Sequence, residues 1–297
     1  MADHFTVGLN LLDNSFNAED ARNYGLAIFF SDTQCTFCIL DGKRNKLIAL
    51  HQMLKYDVQQ INTLSSQKIS YPDFLKGVLT SMPWLKSSFR QVKIAYEGKK
   101  STLIPSSLFD PARLEDYLQF NFQPGKDEDV LADHLISMDS YQVFTIPVHI
   151  RQSILTHFPG SRIVLAASVL IESVWINYKN RINAPRVFLN LCATFFNLMI
   201  FDGRQMSYFN TFAFQNPEDV TYYLIFVLEQ LNLNPETIPL IMLGNVERGD
   251  ELVELLFKYV RHVEFGRRNE GYKYSYALNQ LPPHVHSPLF NFFSCGL

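Results

Sequence analysis

The sequence lacks most of the patterns that announce a chemistry. Four cysteines in 297 residues are too few for a disulfide framework to hold a chain of that length. No Ser-His-Asp arrangement, HExxH pair, P-loop or Rossmann glycine fingerprint occurs, so the common signatures of hydrolases, zinc proteases and dinucleotide enzymes are missing. The opening Met1-Ala2-Asp3-His4-Phe5 has neither a basic n-region nor an apolar h-region, and no secretory leader is expected. Long apolar runs are missing too. The most apolar stretch, residues 163–176, contains Ser168, Glu172 and Ser173. It is shorter than the roughly 20 apolar residues that span a bilayer. Basic charge is not in excess: 26 Lys and Arg against 29 Asp and Glu leave a formal charge of −3, which argues against broad electrostatic capture of nucleic acid or an anionic membrane. Together these absences predict a soluble, reduced, cytoplasmic protein.

Apolar material is plentiful. A hydrophobic fraction of 47% is enough for a sizeable core and argues against wholesale disorder. At roughly 100–200 residues per domain, the length fits one large domain or two medium ones.

An internal repeat organises the chain. Residues 26–52 read LAIFFSDTQCTFCILDGKRNKLIALHQ and residues 187–213 read VFLNLCATFFNLMIFDGRQMSYFNTFA. Aligned without a gap at an offset of 161, Asp41-Gly42 meets Asp202-Gly203, Thr33 meets Thr194, Ile39 meets Ile200 and Lys43 meets Arg204. Each copy reads as three short strands. The first two are separated by a polar or small tetrad, residues 31–34 and 192–195, and the last two by Asp-Gly and a basic residue. Asp-Gly between β-rich runs predicts a type I′ hairpin, because that turn needs positive φ at both central positions.

Helix signals follow both meanders. Asn216-Pro217-Glu218-Asp219 supplies an N-cap, a proline for the first helical position and acids for the positive helix start. Val220, Tyr223, Leu224, Val227, Leu228 and Leu231 then recur at helical spacing. Tyr71-Pro72-Asp73 precedes Phe74, Leu75, Val78 and Leu79 in the first half. Short strands are expected at 92–96 and 239–243, and Asp250 is expected to cap a helix through Val260. The first half carries extra material. It comprises a short helix begun by Asp110-Pro111, a polar loop at 123–129, a strand at 142–146 and a helix at 147–157. A strand at 162–165 and a helix at 166–178 complete it. The predicted boundaries are residues 1–182 for the first half, with an insertion around 98–140, and 183–297 for the second.

This order resembles the duplicated ribonuclease-H-like fold of the actin, Hsp70 and sugar-kinase superfamily. The additions look most similar to the pilus-assembly PilM and secretion GspL type. The chain also resembles an uncharacterised bacterial family of unknown function placed near that superfamily. The fold class implied is α/β: a duplicated ribonuclease-H-like, actin-like ATPase fold. Its two βββαβα-type halves carry a small inserted subdomain in the first.

The resemblance implies an ATP cleft between the halves, with a glycine-bearing acidic turn in each. Glycine lets turn amides approach phosphate closely, and the acid organises a metal or water. Here the first turn, Ser31-Asp32-Thr33-Gln34, keeps the acid and Thr but has no glycine. The second, Asn190-Leu191-Cys192-Ala193-Thr194, has Asn for the acid and no glycine. The adenosine-side glycines are reduced to Leu243-Gly244-Asn245. The candidate cleft residues are therefore Asp32, Thr33, Thr194, Gly244 and Asn245, in a degenerate form.

Other features have plainer readings. Cys35 and Cys38 mimic a CxxC redox pair but fall in a predicted strand, where residues three apart face opposite sides. His284 and His286, with Cys295 nearby, have same-face spacing on an extended chain but no evident third metal ligand. Arg267-Arg268 and Lys99-Lys100 read as solvated loop charges. Tyr272, Tyr274 and Tyr276 alternate as on one strand face, a surface on which bases could stack. The apolar segment 289–293 is read as a terminal element tucked onto the body, with a partner anchor as the alternative.

The function expected is a non-catalytic actin-like-fold protein acting as a cytosolic protein-binding or assembly module. A protein partner and a homodimer are compatible with it, and no cofactor is expected. The alternative is a nucleotide-dependent ATPase or kinase with degenerate phosphate loops, using Mg-ATP, with Asp32 organising Mg²⁺. A third reading, RNA binding through the Tyr and Arg region, is disfavoured by the net acidity.

Overall fold

The computed structural model describes residues 5–55 and 69–297. Residues 1–4, on which part of the leader reading rests, lie outside them. In chain order the first half contains β1 (Phe5–Leu12), β2 (Tyr24–Phe30), β3 (Gln34–Asp41), β4 (Lys46–Lys55), α1 (Tyr71–Ser81) and β5 (Gln91–Tyr96). The insertion follows as β6 (Ser101–Pro105), α2 (Leu114–Gln119), β7 (Glu128–Leu135) and β8 (Ser140–Pro147). Then come α3 (Val148–His157), β9 (Ile163–Leu165) and α4 (Ala166–Tyr178). The second half contains β10 (Arg186–Leu191), β11 (Phe195–Asp202), β12 (Gln205–Ala213), α5 (Pro217–Gln230), β13 (Pro239–Gly244), α6 (Glu251–Tyr259) and β14 (His262–Phe265). The chain ends with β15 (Lys273–Tyr274) and α7 (Ser287–Asn291).

The two large sheets repeat one plan. The first runs β1-β4-β3-β2-β5-β9, with β15 added beside β4; the second runs β12-β11-β10-β13-β14. In each, a meander pairs antiparallel, its first strand pairs parallel with a fourth, and the fourth pairs parallel with a fifth. The order third-second-first-fourth-fifth is thus common to both halves. The fold is a mixed α/β actin-like ATPase fold with a small antiparallel sheet, β6-β8-β7, inserted in the first half.

Burial follows from alternation along the strands. In β2, Leu26, Ile28 and Phe30 enter a core layer with Phe74 and Val78 of α1 and Ile150 and Ile154 of α3. Ala27 and Phe29 face the other way, towards Val169 of α4 and Phe290 and Phe292 near the C-terminus. In the second sheet Val187 and Leu189 pack under α5 and α6, while Phe188 meets Leu170, Ile171 and Val174 of α4. α4 therefore presents residues to the core layers of both sheets. That explains why its segment is the most apolar in the sequence: a helix covered on all sides has no polar face to keep.

Several sequence expectations need correcting. The hairpins do lie at Asp41-Gly42 and Asp202-Gly203, but neither is a type I′ turn with Asp and Gly at its centre. Asp41 and Asp202 are the last strand residues, paired with Lys46 and Gln205. In the first loop the Asp41 carboxylate accepts from the Lys43 and Arg44 amides at 2.9 and 3.2 Å, and Asn45 takes the positive φ. In the second only Gly203 has positive φ, as a type II′ turn requires. The first loop is longer by two residues, so the gapless alignment slips after the turn. β1, β6, β7 and β14 were not legible, and each half gains its fifth strand from β9 or β14. Asp250 precedes α6, but its carboxylate accepts from the Glu247 amide at 2.7 Å instead of capping the helix.

Candidate functional site

The two halves face each other across a cleft of about 730 Å3. Its walls include all five residues singled out from the sequence: Asp32 and Thr33 from the β2–β3 turn, Thr194 from the β10–β11 turn, Gly244 at the end of β13 and Asn245 just after it. The two turns are built alike. Ser31 N donates to Gln34 O and Cys192 N to Phe195 O, both at 2.9 Å. Each turn's threonine carbonyl accepts from the end of its meander: Lys55 N to Thr33 O at 2.7 Å, Phe214 N to Thr194 O at 3.4 Å. The repeat read from the sequence thus places matching backbone bonds on opposite cleft walls.

Gly244 is needed where it stands. Its φ is +82, and a Cβ there would overlap the Leu191 carbonyl oxygen and crowd Asn190, so both the backbone and the space demand glycine. The amides at this corner are already used. Asn245 N donates to Leu191 O at 2.9 Å and Gly244 N to His284 O at 3.3 Å. On the first wall, Thr33 N donates to Ser31 Oγ at 3.3 Å. A phosphate cradle needs backbone N–H groups converging on one oxygen cluster. Here the Thr33, Gly244 and Asn245 amides are bonded within the chain, and neither turn contains the glycine that eases such a close approach.

The cleft is acidic as well. Asp32, Glu97, Glu128 and Glu247 line it, against Lys99 and Lys100. Lys100 is bonded to Glu128 at 2.9 and 3.0 Å, which removes it as a free cation. Sequence reasoning missed a polar chain on the floor: Gln52 donates to Gln34 Oε1 at 3.1 Å, and Gln34 donates to Glu97 Oε2 at 2.8 Å. Burial pushes the Glu97 carboxyl up, with the Gln34 bond pulling it the other way. Tyr96 donates to Asp32 at 3.4 Å, and burial, then the Asp32 charge, raises its phenol. Nothing in the sequence signals this chain of contacts, because its members lie on β3, β4 and the end of β5 and meet only after the sheet forms.

The place of the C-terminal segment beside the cleft is the other feature the sequence hid. Leu281, Pro282, Val285, His286, Pro288 and Leu289 form part of the cleft wall. His284 fastens this strap to the second half, its Nε2 lying 2.6 Å from Val246 O. Leu289, Phe290 and Phe292 are buried, so the tail is tucked onto the body.

The remaining candidates are dispersed. Cys35 and Cys38 enter different core layers, and burial pushes the Cys35 thiol up to about 12. Among the described residues no three His, Cys, Asp or Glu side chains converge. Tyr272, Tyr274 and Tyr276 do not alternate along a strand, since β15 ends at Tyr274 and Tyr276 begins a helical turn. The Arg268 guanidinium lies 4.7 Å from the Tyr274 ring centroid and bonds to Leu281 O at 2.8 Å. The Tyr272 hydroxyl bonds to Ser294. Those side chains bind the tail to the body. Among the described residues no helix is long and apolar enough to cross a membrane.

A family described as "Protein of unknown function (DUF3822)" matches residues 13–263. The chain belongs to that family. A Bacteroides thetaiotaomicron protein with actin-like ATPase fold and unknown function is similar in structure. It has a TM-score of 0.74 and 22% identity, covering 85% of this chain and 94% of that one. The PilM–PilN type IV pilus biogenesis complex matches with a TM-score of 0.58 and 10% identity, covering 89% of this chain and 96% of that one. At these identities the likeness shows the fold alone. No protein of curated function matches the sequence. The solved structures thus give this DUF3822 protein a fold, and what its site does has to be read from its own residues.

Proposed function

We propose that this DUF3822 protein is a cytosolic protein-binding or assembly module on an actin-like fold, and that it does not turn over nucleotide. The observation that supports this reading is the use of the cleft's amides. Asn245 N is bonded to Leu191 O and Gly244 N to His284 O, and neither facing turn contains a glycine. A charge-assisted hydrogen bond lost from a ligand costs about 1.5–3 kcal/mol. Losing several takes a micromolar phosphate site to the millimolar range, since each 1.4 kcal/mol is about tenfold. Cleft acids disfavour a polyphosphate further. PilM, which has this fold in a complex with PilN, supports the idea that the scaffold can serve assembly. Incubation with Mg-ATP tests the proposal: no phosphate should be released above the blank. Turnover that disappears on Asp32→Ala would overturn it.

One observation favours the second reading, a nucleotide-dependent ATPase or kinase. Asp32, Thr33, Thr194, Gly244 and Asn245 do converge on a single cleft of about 730 Å3, a volume typical of small-molecule sites. Under that reading Asp32 would organise Mg²⁺, and the same assay distinguishes the two.

A further inference from the structure

The cleft holds negative charge that the protein's own cations leave unmatched. Glu128 is paired with Lys100 at 2.9 Å. Asp32, Glu97 and Glu247 also line the cleft, and among the described residues none of the three takes part in an ion pair. Elsewhere the pattern is different: Asp13, Asp129 and Asp133 each have a Lys or Arg nitrogen at 2.6, 2.9 and 3.4 Å. Asp32 and Glu97 sit on the same wall. Each lies just beyond the paired residues Phe30 and Tyr96, at matching ends of the parallel strands β2 and β5. Glu97 is half-buried, and its side-chain bond comes from the neutral amide of Gln34 at 2.8 Å. A carboxylate withdrawn from water without a cation is costly, and a cation brought to it offsets that cost.

A second observation is independent of charge. Thr36 on β3 is 3% exposed and lines the cleft, yet its hydroxyl has no hydrogen-bond partner among the described residues. Asn197 holds the matching place on β11, at the same offset of 161, and is as deeply buried. Its side chain is fully engaged, accepting from Asn190 at 3.3 Å and donating to Thr211 at 2.9 Å. Buried polar groups are nearly always bonded, so an idle hydroxyl facing a cleft points to a ligand. The rest of the lining is largely apolar and includes Phe29, Leu170, Val285 and Leu289.

We infer that the cleft receives a cationic side chain, the guanidinium of an arginine carried by a partner protein. Guanidinium has five N–H donors and no acceptor. It suits two carboxylates, Asp32 and Glu97, beside a hydroxyl oxygen, Thr36, that is free to accept. The methylene stem lies against the apolar lining. One arginine side chain does not fill about 730 Å3, so the backbone on either side of it enters as well. This inference rests on reading the cleft as a protein-binding site and names what it binds.

Isothermal titration of the full chain with three probes tests it. Acetyl-Ala-Arg-Ala-amide should bind with a dissociation constant of about 1 mM or tighter. The citrulline counterpart, similar in shape but uncharged, should bind at least about tenfold more weakly. Glu97→Gln should weaken the arginine peptide by about the same factor. Agmatine carries the head and stem without a peptide backbone and so separates the two sources of this chemistry. A peptide tighter than agmatine supports a partner protein; agmatine as tight or tighter assigns the site to a free amine and overturns the partner. No binding of either cation up to about 10 mM, equal binding of the citrulline peptide, or no effect of Glu97→Gln overturns the inference. If Glu97→Gln fails to fold, Asp32→Asn, at an exposed turn position, takes its place. Absent cation binding with no phosphate released from Mg-ATP sinks this inference alone. Phosphate release that Asp32→Ala abolishes sinks the reading beneath it.

Discussion

Gly244 and Gly203 both adopt positive φ, +82 and +57, but they sit in different surroundings. Nothing lies within 4 Å of a Cβ built on Gly203, whereas one on Gly244 would overlap the Leu191 carbonyl. Gly203→Ala should therefore cost about 1 kcal/mol, from backbone strain alone. Gly244→Ala should cost about 2–4 kcal/mol, because strain and overlap act together. Urea unfolding of both variants checks the contrast. Asp133 gives a second prediction at this scale. Burial pushes its carboxyl up to about 6, against the pull of the Leu165 amide, Ser168 and Arg162. Between about pH 4 and 6 the folded protein keeps a proton that the unfolded chain has released. Stability from this group is therefore greatest below pH 4, falls as pH rises through the window and is flat above it. Asp133→Asn should remove that fall, on the order of 2–3 kcal/mol. Unfolding free energies at about pH 4.5 and 7, compared between the two proteins, measure it. Asp13 works in the opposite sense: burial alone would raise its carboxyl, but bonds to Lys46, Ser275 and Ser15 outweigh that and hold it well below the usual range. Its contribution is lost only as the medium becomes strongly acid.

Elements were legible where local chemistry and tertiary burial agree. Asn216 caps α5 through a 2.9 Å bond from the Asp219 amide, with Pro217 in the first turn, and this signal is complete within four residues. α4 was legible because its surroundings on both sides are apolar. β7 was not, because its carboxylates are spent on distant partners: Glu128 on Lys100, Asp129 on Arg151 and Asp133 on the Leu165 amide. The bonds to Arg151 and Leu165 pin the inserted sheet to the body, and from sequence alone such carboxylates resemble solvated loop charge. The C-terminal strap was read correctly as tucked in, though its place along the cleft depends on contacts far away in the chain. Phe292 is 1% exposed, and its ring lies 5.7 Å from that of Phe29, with the Lys93 ammonium 5.3 Å from its centroid. Phe292→Ala should cost about 3–5 kcal/mol, seen as a lower urea midpoint. A loss under about 1 kcal/mol would mean the strap does not hold the body together.

At the scale of the molecule, the shared strand order of the two sheets came from a weak repeat, because Asp-Gly and the small tetrads mark the same turns in both halves. The candidate site was half legible. Its five residues do meet, but the Gln52-Gln34-Glu97 chain and the His284 carbonyl that occupies the Gly244 amide could not be read before the halves were brought together. Those contacts support the central proposal, that this cleft has exchanged phosphate binding for internal bonding. Isothermal titration with Mg-ATP tests that most directly. The account predicts no dissociation constant tighter than about 1 mM. A constant of about 10 µM or tighter, weakened by Asp32→Ala, would contradict it.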